Sequence, residues 1–537
     1  MRYRKIYVLW FVNHLLFFTY LTAPCEPAGK SSGYNFAAAR VAMLSITSKE
    51  SRSHIHRLAS TAFGGRETGT AGEWLAARYI ANEFLKCGLL PGGDDGTFFQ
   101  NFQLTRSDLQ KATMRLKSEI GGEEAVTVFS VKRDFVPFSF TGENSVSAPV
   151  VFAGYGITAP EYQYDDYQNI HAKGKIVLVL RHEPQENDRN SIFAGAQLTQ
   201  HALFEEKAKN ALTHGAVGML VVSDPNSGHV NLEPQGYWPS LYRERWQPKP
   251  WELLQNPELQ AFPAVWIDID VANKMLKPAN QTLDLLQKEI DKAGEPQSFD
   301  IVGLSIQLEI DLDKEIHRTE NVIGFVRGSD PELSEEVVVV GAHFDHLGVI
   351  NDRVYRGADD NASGTAGILE IAETFSELSD PPRRSLLFIA FSAEEMGLLG
   401  SEYYVNHPVW PLKNTVTMIN LDMIGRNAEN EVTVIGSRRS PELHEINAAA
   451  NRQIGMTLKY DGEHYFNRSD QANFAKHNIP VLFYNTDNHE DYHRPSDTPE
   501  KVNPEKVARI ARLAFLVAWE VANSAVRPAY LNPKSGQ

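Results

Sequence analysis

The sequence predicts an α/β protein, a mixed central sheet flanked by helices, with a smaller α/β unit inserted ahead of most of it. Three observations carry this reading. From about residue 301 strand-like, loop and helix-like segments alternate. Four of the strand-like runs, EEVVVVGAH, SLLFIAF, TVTMINLD and IPVLFYN, are almost continuously apolar, as strands covered on both faces are. Polar residues suited to chemistry gather just beyond those runs, where ligands bind in such sheets.

The elements follow in chain order. Residues 1–28 carry Arg2, Arg4 and Lys5 ahead of an apolar run and then small residues, the build of an export signal peptide. Residues 29–115 are expected to be the N-terminal helical part of the main domain. Within them a helix starts near Gly72 and is closed by Gly88 and Pro91. Residues 116–300 form the insert, with strand-like APVVFAGYGI and GKIVLVLRHEP, then helix-like EEKAKNALTHGAVGMLVV with Gly215 as C-cap. Residues 301–537 complete the main domain.

The whole has 537 residues, 42% hydrophobic and 22% charged, enough for two or three separate cores. Its net charge of −16 argues against a nucleic-acid partner, and no segment after the leader is apolar enough for stable membrane insertion. Cys25 and Cys87 are the only cysteines. Cys87 shares a helical face with Ala76, Ile80 and Phe84 and reads as a core residue. Neither a disulfide framework nor a thiolate zinc site can be built, so any metal rests on histidines and carboxylates.

Such ligands occur at five turns: His343 and Asp345 in GAHFDHLG, Asp359 and Asp360 in RGADDNASG, Glu394 and Glu395 in FSAEEMG, Asp422 in INLDMIG, and His493 in NTDNHEDYHRPSD. Carboxylates massed in a dry cleft need cations, and the imidazoles favour zinc over calcium or magnesium. Two zinc ions are balanced by Asp360, Glu395, Asp422 and one bridging hydroxide. That leaves Glu394 free of coordination to act as general base, while its neighbour Glu395 ligates. Strand period places Asp345 on the face of His343, where it can fix the imidazole tautomer; His346 is expected to point the other way.

These motifs together, H-x-D, D-N-A-S-G, the Glu394–Glu395 pair, L-D-M and YHRPSDT, resemble the co-catalytic double-zinc exopeptidases, including bacterial leucyl-type aminopeptidases and glutamate carboxypeptidase II. The insert resembles the protease-associated domain that many of them carry. The resemblance implies the zinc exopeptidase fold and a secreted enzyme acting on peptide substrates. It implies two Zn²⁺ bridged by Asp360 and by water, with His343 and Asp422 completing one site and Glu395 and His493 the other. It also implies a cis peptide between Asp360 and Asn361, and a role for Tyr492 in holding the oxyanion. Ser469 and Asp470 match a segment near the substrate pocket.

Aminopeptidase action is favoured over carboxypeptidase action because exported relatives with this domain order are usually aminopeptidases; a free carboxylate is recognised by arginines, but Arg426 and Arg468 could belong to either arrangement. A receptor-like ectodomain or a one-zinc cyclase of similar fold would lack part of this ligand set. HEDYH, residues 489–493, matches H-E-x-x-H, but that motif works on a helix, and an upstream strand and Pro495 predict a loop. His182, His201, His214 and His229 are expected at the surface, Asp94 in a solvated turn, and GGRETGTAG around Arg66 lacks the lysine of a phosphate loop.

Overall fold

The computed structural model describes residues 36–531 apart from 121–122, 187, 194–197, 226–237, 243–248 and 255. The expected leader, Cys25 and His229 lie outside these residues. Among the described residues no helix is long and apolar enough to cross a membrane.

The apolar runs become the strands Val337–His343, Ser385–Phe391, Thr415–Leu421 and Val481–Asn485, with every residue of each buried. They lie side by side and parallel, Ser385–Phe391 and Thr415–Leu421 flanking Val337–His343, and Val481–Asn485 beyond Thr415–Leu421. Glu431–Ile435 and the end of Phe299–Val326 add antiparallel neighbours, which makes the sheet mixed. Alternate side chains feed opposite faces. Val338, Val340 and Ala342 pack with Phe388 against the helices Ser48–Leu58, Ala71–Lys86, Gly364–Ser376 and Pro504–Asn523. Val337 and Val339 pack with Leu387, Ile389, Tyr404 and Phe474 on the other face. Parallel strands place all their carboxyl ends on one edge, so His343, Ser392–Glu395 and Asp422 emerge together.

The helix Ala71–Lys86 ends as expected, with Gly88 in a left-handed conformation. The helical reading of residues 29–115 fails beyond it. Residues 99–120 form one long strand, Phe99–Ile120, paired antiparallel with Phe299–Val326. The cause is legible afterwards: Phe102 and Leu104, then Met114 and Leu116, are buried at period two, and a register shift at Asp311/Leu312 interrupts the alternation. The insert contributes Asn144–Phe152, Ile176–Leu180, Gly218–Val222 and Ala264–Ile267 to the same continuous sheet. Its helix Phe204–Thr213 is followed by Gly215 at φ 78°.

The insert's histidines divide. His201 pairs with Glu161 at 2.7 Å, and His214 stacks on Tyr167. His182 is buried rather than superficial, its Nδ1 2.5 Å from Glu186 and 2.9 Å from Asp224. Asp224 is anchored in turn by the amides of Arg181 and His182. Burial pulls the imidazole pKa down, but the bonds to Asp224 and Glu186 win and raise it to about 9. Its stabilisation is therefore complete below the unfolded value near 6.5 and lost as pH rises through about 9. Denaturant melts at pH 6.5 and 9.5 should show wild type losing on the order of 2 kcal/mol more than His182→Gln, partial solvent exposure allowed for. Equal losses would refute the imidazolium bridge.

Candidate metal centre

His343 ends its strand with its imidazole fully buried, Nε2 facing Asp422 Oδ1 at 3.2 Å and Asp360 Oδ1 at 3.4 Å. His493, from the loop after Val481–Asn485, places Nε2 3.1 Å from Asp360 Oδ2 and 3.1 Å from Glu395 Oε2. Asp360 thus presents one oxygen to each cluster. Its loop carries a cis peptide at Asp360–Asn361, and the amides of Asp359 and Asp360 are held by the Asp497 carboxylate. The Asn361 side chain bonds Leu421 O and accepts the amides of Gly364 and Met423, tying this loop to the turn of Asp422.

Separations of 3.1–3.4 Å between a nitrogen and a carboxylate oxygen suit two ligands of one tetrahedral ion. Bonds of about 2.0 Å at the tetrahedral angle span about 3.3 Å. The donor set, with Asp360 Oδ2 buried and without a hydrogen bond, therefore fits two zinc ions. The insert's His182 group forms a second convergence of possible ligand atoms, but its 2.5 and 2.9 Å contacts are hydrogen-bond lengths.

Asp345 lies fully buried between the turns. Its Oδ1 is 3.6 Å from His343 Nδ1, which is closer to the Asp345 carbonyl at 3.3 Å. Its stronger bonds are to the amides of Glu394 at 3.1 Å and Glu395 at 3.3 Å and to the Thr68 hydroxyl. Glu394 Oε2 stands 4.0 Å from His343 Nε2, outside both ligand groups. The Tyr492 ring, half-buried, stacks on that of His493 with centroids 3.8 Å apart.

The electrostatics follow from burial and crowding. Burial, then the charges of Glu395, Asp422 and Asp470, hold the Glu394 carboxyl well above its usual range against the pull of His343. Burial would push Asp360 the same way, but His343 and His493 outweigh it and keep the carboxyl well below. Burial likewise raises Asp422, which His343 only partly offsets.

His346 is the expectation the structure overturns. Its ring is buried at the centre, Nδ1 2.7 Å from Glu395 Oε1 and 3.8 Å from Asp360 Oδ2. The contact with Glu395 is a hydrogen bond, the support a ligating carboxylate takes from its surroundings. The strand ends at His343, so alternation does not extend to His346.

The two histidines of HEDYH face different carboxylates, His489 meeting Asp359 Oδ2 at 3.3 Å and His493 the Asp360–Glu395 pair. The stretch is a turn, not a helix, so no single ion takes both. Arg426 is bound to Asp491 at 2.8 Å, and Arg468 is exposed. Asp470 is buried beside Asp422, and Ser469 accepts a hydrogen bond from Asn420. Asp94 lies in an exposed turn, and Cys87 packs half-buried against the core.

Residues 321–518 match the profile of Peptidase family M28, and residues 146–242 that of the PA domain. Aminopeptidase YwaD of Bacillus subtilis (strain 168) is 26% identical over 503 residues, covering 90% of this chain and 87% of its own. Aminopeptidase NAALADL1 of Rattus norvegicus is 26% identical over 425 residues, 70% of this chain and 50% of that protein, so the match spans half of the rat relative. The structure titled as an aminopeptidase from Aneurinibacillus sp. strain AM-1 covers 92% of this chain and 98% of its own, at 21% identity and a TM-score of 0.44. The M28 profile lies over every strand-end turn of the centre and the PA profile over most of Asn144–Phe152 and all of Ile176–Leu180 and Gly218–Val222, so residues 321–518 are similar to peptidase family M28 and residues 146–242 to a PA domain.

Proposed function

We propose that the protein is an exported, zinc-dependent aminopeptidase that releases amino-terminal residues from peptides. The observation that carries it is the split of Asp360, one oxygen in each of two clusters at tetrahedral-edge spacing. His343, Asp422 and Asp360 would hold one ion, and Glu395, His493 and Asp360 the other. Zinc ions bound there would supply Lewis acidity toward the scissile carbonyl and would make water a nucleophile at neutral pH. Glu394 takes the proton from the attacking water and delivers it to the leaving amine. Asp345 aims both glutamates through their amides, and Tyr492, at the rim beside His493, donates its hydroxyl to the developing oxyanion. The basic, apolar leader supports export. The domain division proposed is a catalytic domain of residues 29–115 and 301–537 around an insert at 116–300; both profile matches fall within those bounds.

Action at the amino end is favoured because Arg426, a candidate for gripping a substrate carboxylate, is taken by Asp491, which Lys501 also binds. The aminopeptidase names of the Bacillus and rat relatives agree. Peptides left free, amino-blocked or carboxyl-blocked test it. Amino acids should be released from the free and carboxyl-blocked forms and not from the amino-blocked ones, and release should stop with a chelator. Release from the free and amino-blocked forms but not from the carboxyl-blocked ones would make the enzyme a carboxypeptidase.

A further inference from the structure

We infer that segment 65–73, far from the ligands in sequence, is a positioning brace for the metal centre, with its buried side chains Arg66, Thr68 and Glu73 each fixing a ligand-bearing turn. This rests on the dinuclear reading above and adds residues to it.

Arg66 is fully buried. Its guanidinium donates to four main-chain carbonyls: Nε to Phe344 at 2.7 Å, Nη1 to Arg356 at 2.7 Å and Leu58 at 2.8 Å, and Nη2 to Gly357 at 2.8 Å. Phe344 lies between His343 and Asp345, and Gly357 opens the loop of Asp360. One planar fork thus sets the distance between two turns whose ligands meet the same ion. A lysine, a point donor on a flexible stem, cannot reproduce that geometry. The main chain reinforces it, Arg66 O accepting His346 N and Gly65 O accepting Gly348 N. This close approach needs glycine: a Cβ on Gly65, at φ 77°, would sit 2.4 Å from Tyr355 O.

Thr68 donates to Asp345 Oδ2 at 3.1 Å, the carboxylate that holds the amides of Glu394 and Glu395. Glu73, buried in the first turn of Ala71–Lys86, accepts from the Gly69 amide at 2.7 Å and binds the hydroxyls of Thr319 and Ser392. Ser392 stands two residues before Glu394. The glutamate pair is therefore steadied from both ends of its turn, by Glu73 through Ser392 and by Thr68 through Asp345. Burying a guanidinium and a carboxyl group here has a large desolvation cost, and what the contacts secure is the register of the turns that carry the ligands.

The test compares wild type with Arg66→Lys, Thr68→Val and Glu73→Gln, each well below its unfolding temperature. Zinc dissociation constants come from chelator competition, and kcat and KM from an unblocked peptide. Each variant should bind zinc 10-fold or more weakly, as loss of support around metal ligands does. At saturating zinc kcat should fall 10-fold or more while KM stays within about 3-fold. Lower melting temperatures with unchanged zinc affinity and unchanged kcat would reduce the segment to a stability element and overturn the inference. Thr68→Val, the mildest change, decides the matter if the other two do not fold. A wild type that binds no zinc pair and releases no amino acid would instead overturn the proposed function.

Discussion

Glu394→Gln is expected to lower turnover about 1,000-fold, within the range of a lost general acid–base, while both metal sites stay filled. Glu395→Ala is expected to lose metal as well. The two residues are adjacent in sequence, yet Glu395 Oε2 lies 3.1 Å from His493 Nε2 at ligand spacing, whereas Glu394 belongs to neither cluster and stands 4.0 Å from His343. Gln keeps the size of Glu394 and its main-chain bond to Asp345 and removes only the ability to carry a proton. Elemental analysis and steady-state kinetics on the two variants separate the roles. Equal metal loss in both would mean that each glutamate ligates, and would leave the proton shuttle without a carrier.

Why this centre could be read from the sequence at all has a physical reason. Its ligands lie at the ends of fully buried parallel strands, and such strands announce themselves as apolar runs with abrupt polar ends. His343, Glu394, Glu395 and Asp422 each sit within four residues of such an end. Asp360 and His493 come from loops and were recognisable from their motifs. His346 escaped because strand alternation was carried past the last strand residue.

Arg66, Thr68 and Glu73 escaped for another reason: their partners Phe344, Asp345 and Ser392 are more than 270 positions away, and no local pattern marks a polar side chain that serves a distant turn. The glycines flanking Arg66 and Thr68, Gly65 and Gly69, both at positive φ, were the available clue, since a glycine-punctuated stretch with no phosphate-loop lysine still marks a close approach of chains. The insert shows the same limit. Its strands and helix were legible, but burial of His182 depends on Asp224, forty-two residues on, and the long strand Phe99–Ile120 makes sense only against its partner Phe299–Val326.

Asp360→Ala should remove both metals at once, unlike a change at Asp422 or His493, each of which serves one cluster. The distinction comes from the split of the Asp360 carboxylate, Oδ1 toward His343 and Oδ2 toward His493. Without it one side keeps His343 and Asp422 and the other Glu395 and His493, two protein ligands apiece, where a zinc site with an open position ordinarily has three. Elemental analysis after gel filtration should find two zinc ions per wild-type chain, near one in His493→Ala and near none in Asp360→Ala, with activity of the last below a ten-thousandth of wild type. Stability gives an independent reading. An ion that binds only the folded chain stabilises it by about 2.7 kcal/mol at one hundred times its dissociation constant. Stripping wild type with a chelator should therefore lower its melting temperature by roughly 5 °C or more, because Asp345, Glu394, Glu395 and Asp422 are left crowded in a buried pocket. Asp360→Ala, holding no ion to lose, should melt at the same temperature with and without chelator. A variant that kept one tightly bound zinc and a chelator-sensitive melt would show that Asp360 serves a single site, and the bridged pair would have to be given up.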